Sequence, residues 1–194
     1  MPLGANKAAI MGVAGTAAAG DVVLIDTITA TSDATISFTS GIDSTYGEYI
    51  FKFYNCNPET DGAYLTFQGS IDGGDNYNVA MTTTFFQGLH DETASANFVL
   101  YQSAIDQAEG AIFQELVDMT GNGADESCVG ELHLFNPSST TYVKHFISET
   151  QNYSNTNQTI NAFIGGYFNT TSAINAIQYK FSAGDFDGTI KMWG

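Results

Sequence analysis

The stretch YGEYIFKFYNC, from Tyr46 to Cys56, has the alternation of a β-strand that is buried on one face. Successive side chains of a strand point to opposite faces of the sheet. The rings of Tyr49, Phe51 and Phe53 therefore share one face, and the residues between them lie on the other. This pattern predicts a strand whose aromatic side packs in a core.

Similar short segments, separated by clusters of Gly, Asn, Asp and Ser, occupy most of the chain from Asp21 onward. Such spacing is typical of antiparallel strands, and we expect about eight or nine of them. The clearest are VVLIDTITA (22–30), ATISFTS (34–40), AYLTFQGSI (63–71), TINAFIG (159–165), AINAIQYKF (173–181) and GTIKMWG (188–194). Residues 21–194 are thus predicted to form one all-β domain, an antiparallel β-sandwich or jelly roll.

The region from Met81 to Gly130 has no clear period. Within it, QSAIDQAEGAIFQELVDMTG (102–121) is compatible with one helical turn or with two irregular strands.

The composition supports this fold class and excludes two classes of partner. The 194 residues include 14 Phe and 10 Tyr, which favour strands. Asp and Glu number 21 against 5 Lys and no Arg, so the net charge is −16 at pH 7. Nucleic-acid binding requires Lys and Arg to neutralise phosphates, which excludes it here. No stretch approaches the ~18 apolar residues of a membrane span, so no membrane insertion is expected.

Residues 1–20 differ from the rest because Ala and Gly predominate and Lys7 is the one charge. Such a segment has too little apolar surface to fold by itself, since ordering each residue costs on the order of 1–2 kcal/mol. We expect an N-terminal arm that contacts a neighbouring subunit or a larger assembly; a retained signal segment and an arm packed on its own domain are the alternatives. Deleting residues 1–20 is expected to leave a folded sandwich that no longer incorporates into that assembly.

Cysteines and acidic loops provide weak site signals. Cys56 and Cys128 lie in no CxxC motif, and two isolated buried thiols are expected rather than a disulfide. The loop SIDGGDNY, with Asp72, Asp75 and Asn76, lacks the spacing of a twelve-residue calcium loop, so a solvated turn is expected there. Further acidic pairs, Asp125/Glu126 and Asp185/Asp187, resemble the two carboxylates of a glycosidase only weakly, because acidic residues are abundant throughout.

A hairpin predicted around Asn136 carries a possible metal set, Glu131, His133 and His145. These residues share a face only if paired positions sum to an even number. We expect an odd sum, because it places Leu132 and Leu134 opposite Val143 and Ile147 and so segregates apolar residues better. The two histidines would then point to opposite faces.

Exposed rings such as Tyr46, Tyr64 and Tyr77 are candidates for stacking on sugars, although aromatic residues of a β-sandwich are more often core or interface. No GxSxG, P-loop or HExxH motif occurs. We therefore assign no catalytic, cofactor-binding or metal-binding residue, and we expect no cofactor and no enzymatic activity.

Three segments resemble small β-sandwich virion structural proteins of tailed phages, many of them marine. They are IDTITATSDATISFTSGIDSTYGEYIFKFYNCNPETDGAYLTFQGSIDGGDNY (25–77), GELHLFNPSSTTYVKHF (130–146) and YFNTTSAINAIQYKFSAGDFDGTIKMWG (167–194), about 100 of 194 residues. At the C-terminus, Met192 and Trp193 replace the Leu-Tyr that is more usual in that group.

This resemblance implies a virion component, either a head decoration or a tail or neck fibre module, assembled in the host cytoplasm. The partners expected are further copies of the chain, by analogy a homotrimer, and other virion proteins such as capsid, portal or tail. A receptor-recognition module of a tail fibre that binds host surface glycans is the alternative. The resemblance carries over no catalytic residue.

Overall fold

The computed structural model describes residues 22–194, in which twelve strands and no helix occur. The strands are β1 (Leu24–Asp33), β2 (Ile36–Phe38), β3 (Glu48–Pro58), β4 (Leu65–Ser70), β5 (Met81–Asp91), β6 (Asn97–Tyr101), β7 (Gln114–Glu115), β8 (Cys128–Phe135), β9 (Lys144–Tyr153), β10 (Gln158–Phe168), β11 (Ala176–Phe181) and β12 (Phe186–Trp193). The predicted N-terminal arm, residues 1–20, lies outside the described residues.

The strands form two antiparallel sheets that pack face to face, which confirms the predicted all-β sandwich. The large sheet has eight strands in the order β1-β12-β3-β8-β9-β10-β5-β6, and the small sheet has four in the order β2-β11-β4-β7. Because the two sheets differ in width, the small sheet covers only part of the inner face of the large one.

The core lies between the sheets and is largely aromatic. Tyr49, Phe51 and Phe53 of β3 are buried, as their alternation predicts. Phe51 and Phe53 meet Tyr179 of the small sheet, with ring centroids 5.7 Å and 5.2 Å apart, and Tyr179 in turn stacks on Phe67. Edge-to-face pairs of this kind add to the hydrophobic burial of each ring.

The middle of the chain, for which the sequence left the structure open, contributes β5, β6 and β7. The strand count therefore exceeds the eight or nine expected. Strand β5 was not evident from the sequence because its inward face mixes the apolar residues Met81 and Phe85 with the polar residues Thr83 and Gln87, and all four are buried. Segment 102–121 contains only the two-residue strand β7. Its polar groups bond to the inward polar side chains of β5; Gln87 Nε2, for example, donates to a carboxylate oxygen of Asp118 at 3.0 Å.

Strand β4 also differs, because it is buried on both faces. Thr66 and Gln68, which alternate with the core residues Leu65 and Phe67, are covered as well. The Gln68 side chain donates to the carbonyls of Ala111 and Ile112, so segment 102–121 is packed over that face.

The pairing of β8 with β9 is the clearest correction. His133 pairs with Ile147 and Leu134 with Phe146, which is the even-sum register. The apolar criterion was misleading because Ile147 stays exposed while Lys144 is buried, its ammonium donating to the carbonyls of Tyr142 at 2.7 Å and Thr170 at 3.2 Å. Burial lowers the pKa of Lys144, since a desolvated ammonium is disfavoured.

Candidate functional site

The outer face of the large sheet carries the most distinctive surface of residues 22–194. One row of register partners crosses all its strands: Tyr101, Phe86, Phe163, Glu149, Glu131, Lys52, Lys191 and Thr27. The row is aromatic over β6, β5 and β10 and charged over β9, β8, β3 and β12. The face therefore has an aromatic half and a charged half.

The aromatic face consists of Phe86, Val99, Tyr101 and Phe163. The rings of Phe86 and Phe163 stack across β5 and β10, with centroids 5.2 Å apart and planes at 13°. Val99 is 78% exposed. The outward positions of β10, β5 and β6 hold no Asp or Glu, although the chain carries a net charge of −16.

The charged half contains a chain of polar contacts on β3 and β8. Lys52 Nζ lies 3.1 Å from Glu131 Oε2, His133 Nε2 lies 3.1 Å from Glu131 Oε1, and His133 Nδ1 lies 2.5 Å from Glu48 Oε1. Burial lowers the pKa of His133, but its bonds to Glu48 and Glu131 outweigh burial and raise the pKa above its usual value. The same bond to His133, with Lys52, lowers the pKa of Glu131.

The even register places Glu131, His133 and His145 on this one face, contrary to the expectation that the histidines diverge. They still do not converge on a common point. His133 is held by its two glutamates, whereas the His145 ring packs edge-on against Tyr167 at 5.9 Å. Within residues 22–194, no three His, Cys, Asp or Glu side chains are placed to hold a metal ion.

An open groove of about 390 Å³ adjoins the charged half. It lies where β3 and β8 change register between Phe53 and Cys56. Its lining includes Lys52, Tyr54, Glu131, Glu149, Gln151 and Asn161. The Tyr54 ring is 41% exposed, and Lys191 lies 5.3 Å from its centroid on the neighbouring strand. A partly exposed ring beside amides and carboxylates is suited to a polar ring-shaped ligand such as a sugar.

The aromatic residues selected from sequence occupy other places. Tyr46, Tyr64 and Tyr77 are all half-buried, and none lines this groove. Tyr46 packs edge-on against Tyr49, and Tyr77 packs against Phe113. Alternation shows which residues share a face, but the exposure of a face depends on what packs over it; Tyr54, in the opening strand segment, was the ring that sequence reasoning missed.

The acidic loop residues mostly close turns. Asp72 accepts bonds from the Ser70 hydroxyl at 2.6 Å and from the main-chain and side-chain nitrogens of Asn76 at 3.0 and 2.7 Å. These bonds stabilise the charged form and lower the pKa of Asp72 to about 2. Glu126 accepts from the main-chain nitrogen of Gly123, and Asp187 accepts from that of Ser32 at 2.8 Å.

A carboxyl group with a strongly shifted pKa lies on the small sheet, in β7. Burial, followed by the charge of Asp118, raises the pKa of Glu115 to about 7. Burial and the same two carboxylates raise the pKa of Tyr64.

Cys56 and Cys128 are both buried free thiols, but they are not isolated, since they are register partners in β3 and β8. The neighbouring Cys56 thiol, together with burial, raises the pKa of Cys128 well above its usual value.

The described residues contain no helix long and apolar enough to cross a membrane. No protein-family model matches the sequence, and no curated protein matches it.

Proposed function

We propose that this chain is a non-enzymatic structural protein of a tailed-phage virion, displayed on the particle as a head decoration or as a tail or neck fibre module. The resemblance of residues 25–77, 130–146 and 167–194 to such proteins supports the proposal. The observation that carries it is the aromatic face, because exposed apolar side chains on strands with no outward Asp or Glu are suited to lasting contact with protein.

The charge distribution supports the same role. With a net charge of −16, copies of this chain repel one another over most of their surface. On the aromatic face the outward strand positions hold no Asp or Glu, and the nearby Asp106 carboxylate is bonded to the Tyr101 hydroxyl, so two protein surfaces can meet there with less repulsion. The remaining acidic surface keeps a protein displayed in many copies soluble. By analogy with other virion components we propose self-association into a trimer, with capsid, portal or tail proteins as further partners.

Imaging of purified particles from a phage that encodes this chain tests the proposal. We expect the chain in the purified particles by mass spectrometry, and density for a two-sheet sandwich at a repeated position. Density over the capsid lattice assigns it to decoration, and density confined to the tail or neck assigns it to a fibre. Its absence from infectious particles purified to homogeneity contradicts the proposal.

A second function, recognition of host surface glycans, is favoured by the groove beside Tyr54. Its ring is half-exposed, and the side-chain amides of Gln151 and Asn161 lie on the adjoining strands, their nitrogens donating within the sheet and their oxygens serving as acceptors. A ring face beside a few placed polar groups is typical of small-molecule sites, and the hydroxyl groups of a neutral sugar can donate to such acceptors.

An array of immobilised host-surface oligosaccharides tests this second function. We expect Tyr54→Ala to weaken binding about tenfold or more, since loss of a stacked ring costs roughly 0.5–1.5 kcal/mol beyond burial. Tyr142→Ala is the matched control, because Tyr142 is an exposed ring, 72% accessible, that does not line this groove. Equal loss in both variants, or no binding by the wild type, contradicts a glycan site at Tyr54.

A further inference from the structure

Strand β6, Asn97–Tyr101, forms one edge of the large sheet. It pairs with β5 on one side, and no strand of residues 22–194 pairs with its other side. An edge strand presents a row of main-chain donors and acceptors that can pair with a strand of another chain, and proteins usually block such edges with charges, proline or bulges.

Strand β1, at the opposite edge, is blocked in this way. The main-chain nitrogen of Thr27 donates to a carboxylate oxygen of Asp26 at 2.7 Å, and that of Thr31 donates to Asp33 at 2.9 Å. The pairing of β1 with β12 also changes register at two places, which bends the strand. Both devices disfavour addition of another strand.

Strand β6 has none of these devices. Its sequence, NFVLY, contains no charged residue and no proline, and its pairing with β5 runs without a register shift. Apolar side chains are exposed on both of its faces: Val99 at 78% and Tyr101 at 53% on the outer face, and Phe98 at 51% on the inner face. An exposed apolar edge strand of this kind is a ready template for pairing with another chain.

We propose that β6 pairs antiparallel with β6 of a second copy of this chain, about a two-fold axis through Val99, so that the two large sheets become continuous. In this register Val99 lies opposite Val99 of the other copy, Phe98 opposite Leu100, and Asn97 opposite Tyr101. Every opposed pair is uncharged, and because the strand contains no proline, each of its residues has a main-chain N–H that can donate. The strand is therefore complementary to a second copy of itself. A two-fold contact of this kind is closed, because both copies use the same edge.

The charges next to the strand are already engaged within each copy. Asp91 accepts bonds from the main-chain nitrogen and hydroxyl of Ser95, and Asp106 accepts from the Tyr101 hydroxyl. Repulsion between two copies at −16 remains at longer range, and salt screens it. We therefore expect added salt to strengthen the pairing.

This inference deepens the self-association in the proposed function, and its test is separate from particle imaging. The mass of the full-length protein, measured in solution by light scattering at micromolar concentration, is expected to correspond to an even number of chains. Val99→Lys places two ammonium groups together on the axis and is expected to halve the mass. Ile112→Lys, which adds the same charge at a 72% exposed apolar residue in a loop, is the control and is expected to leave the mass unchanged.

Cross-linking tests the register itself. On the axis, opposed α-carbons are about 4.5–5.5 Å apart, within the range of a disulfide, so Val99→Cys is expected to give a covalent dimer when oxidised with diamide. Asn97→Cys is expected to give none, since the two copies of residue 97 lie about 13 Å apart along the strands. Far-ultraviolet circular dichroism verifies that each variant is folded.

A wild-type mass of one or three chains, a mass unaffected by Val99→Lys, or equal cross-linking at positions 97 and 99 overturns the proposal. A mass of six chains that falls to three in Val99→Lys supports both this contact and the trimer. A mass of two chains supports this contact and contradicts the trimer.

Discussion

Replacing Tyr179 with phenylalanine is expected to stabilise the protein. The Tyr179 ring is fully buried at the centre of the aromatic core, in contact with the rings of Phe38, Phe51, Phe53 and Phe67. Its hydroxyl is buried with no hydrogen-bond partner among residues 22–194. Burial raises the pKa of Tyr179 well above its usual value, so the group is neutral throughout the working pH range.

The magnitude follows from two opposing contributions. A hydroxyl buried without a hydrogen bond destabilises the folded protein by about 1–3 kcal/mol. Removing one oxygen forfeits a few contacts of about 0.1–0.2 kcal/mol each. Tyr179→Phe is therefore expected to increase the free energy of unfolding by about 1–2 kcal/mol. For a domain of this size, each 1 kcal/mol raises the Tm by roughly 2–4 °C.

Tyr49→Phe is the matched control, because the Tyr49 ring is equally buried but its hydroxyl is bonded. That hydroxyl accepts from the main-chain nitrogen of Asp43 at 2.9 Å and lies 3.1 Å from the carbonyl and carboxylate oxygens of Asp43. Its removal deletes these bonds, although the Asp43 carboxylate keeps its bond from Thr45, and is expected to destabilise by about 1 kcal/mol. Urea unfolding of both variants at one pH measures the difference. If Tyr179→Phe destabilises the protein as much as Tyr49→Phe, the Tyr179 hydroxyl is satisfied and the reasoning is wrong.

Three further predictions concern other parts of the molecule. The pKa of Glu115 is raised to about 7, so its contribution to stability is present below the unfolded pKa of about 4.3 and is lost as pH rises through about 7. Glu115→Gln is expected to flatten this part of the pH dependence of stability, measured by urea unfolding. An unchanged pH profile in the variant refutes this prediction. Cys56 and Cys128 are buried, so a thiol reagent is expected to titrate neither in the folded protein and both in urea; rapid reaction of the folded protein contradicts this. A β-carbon added at Gly130 would lie 2.5 Å from a carbonyl oxygen of the next strand, so Gly130→Ala is expected to destabilise the protein by about 1–3 kcal/mol. Gly165→Ala is the control: its β-carbon would have its nearest contact at 3.7 Å, and stability is expected to change by less than about 1 kcal/mol.

The local features of the fold were accessible from sequence because they depend on neighbouring residues alone. Alternation assigns Tyr49, Phe51 and Phe53 to one face whatever the rest of the chain does, and Ile190 and Met192 follow the same rule in the last strand. The all-β class follows for the same reason, since the strand period recurs between turn residues along most of the chain.

The site depended on contacts between segments that are distant in sequence. Apolar segregation did not identify the β8–β9 register, because the observed register buries Lys144 on the inner face. That burial is possible because the ammonium donates to the carbonyls of Tyr142 and Thr170, which lie outside the strands. The meeting of Cys56 with Cys128 likewise arises from pairing between strands 72 residues apart in a chain of 194.

Exposure was also decided at the tertiary level. Sequence identified strands with an outer face, but only the sheet order shows that β6 is an edge and that the small sheet is half as wide as the large one. Period-two alternation fixes which side chains point together, because it is a property of one backbone. Whether such a face is covered or left to solvent depends on the packing of other segments, and that information is not contained in the alternation of any single strand.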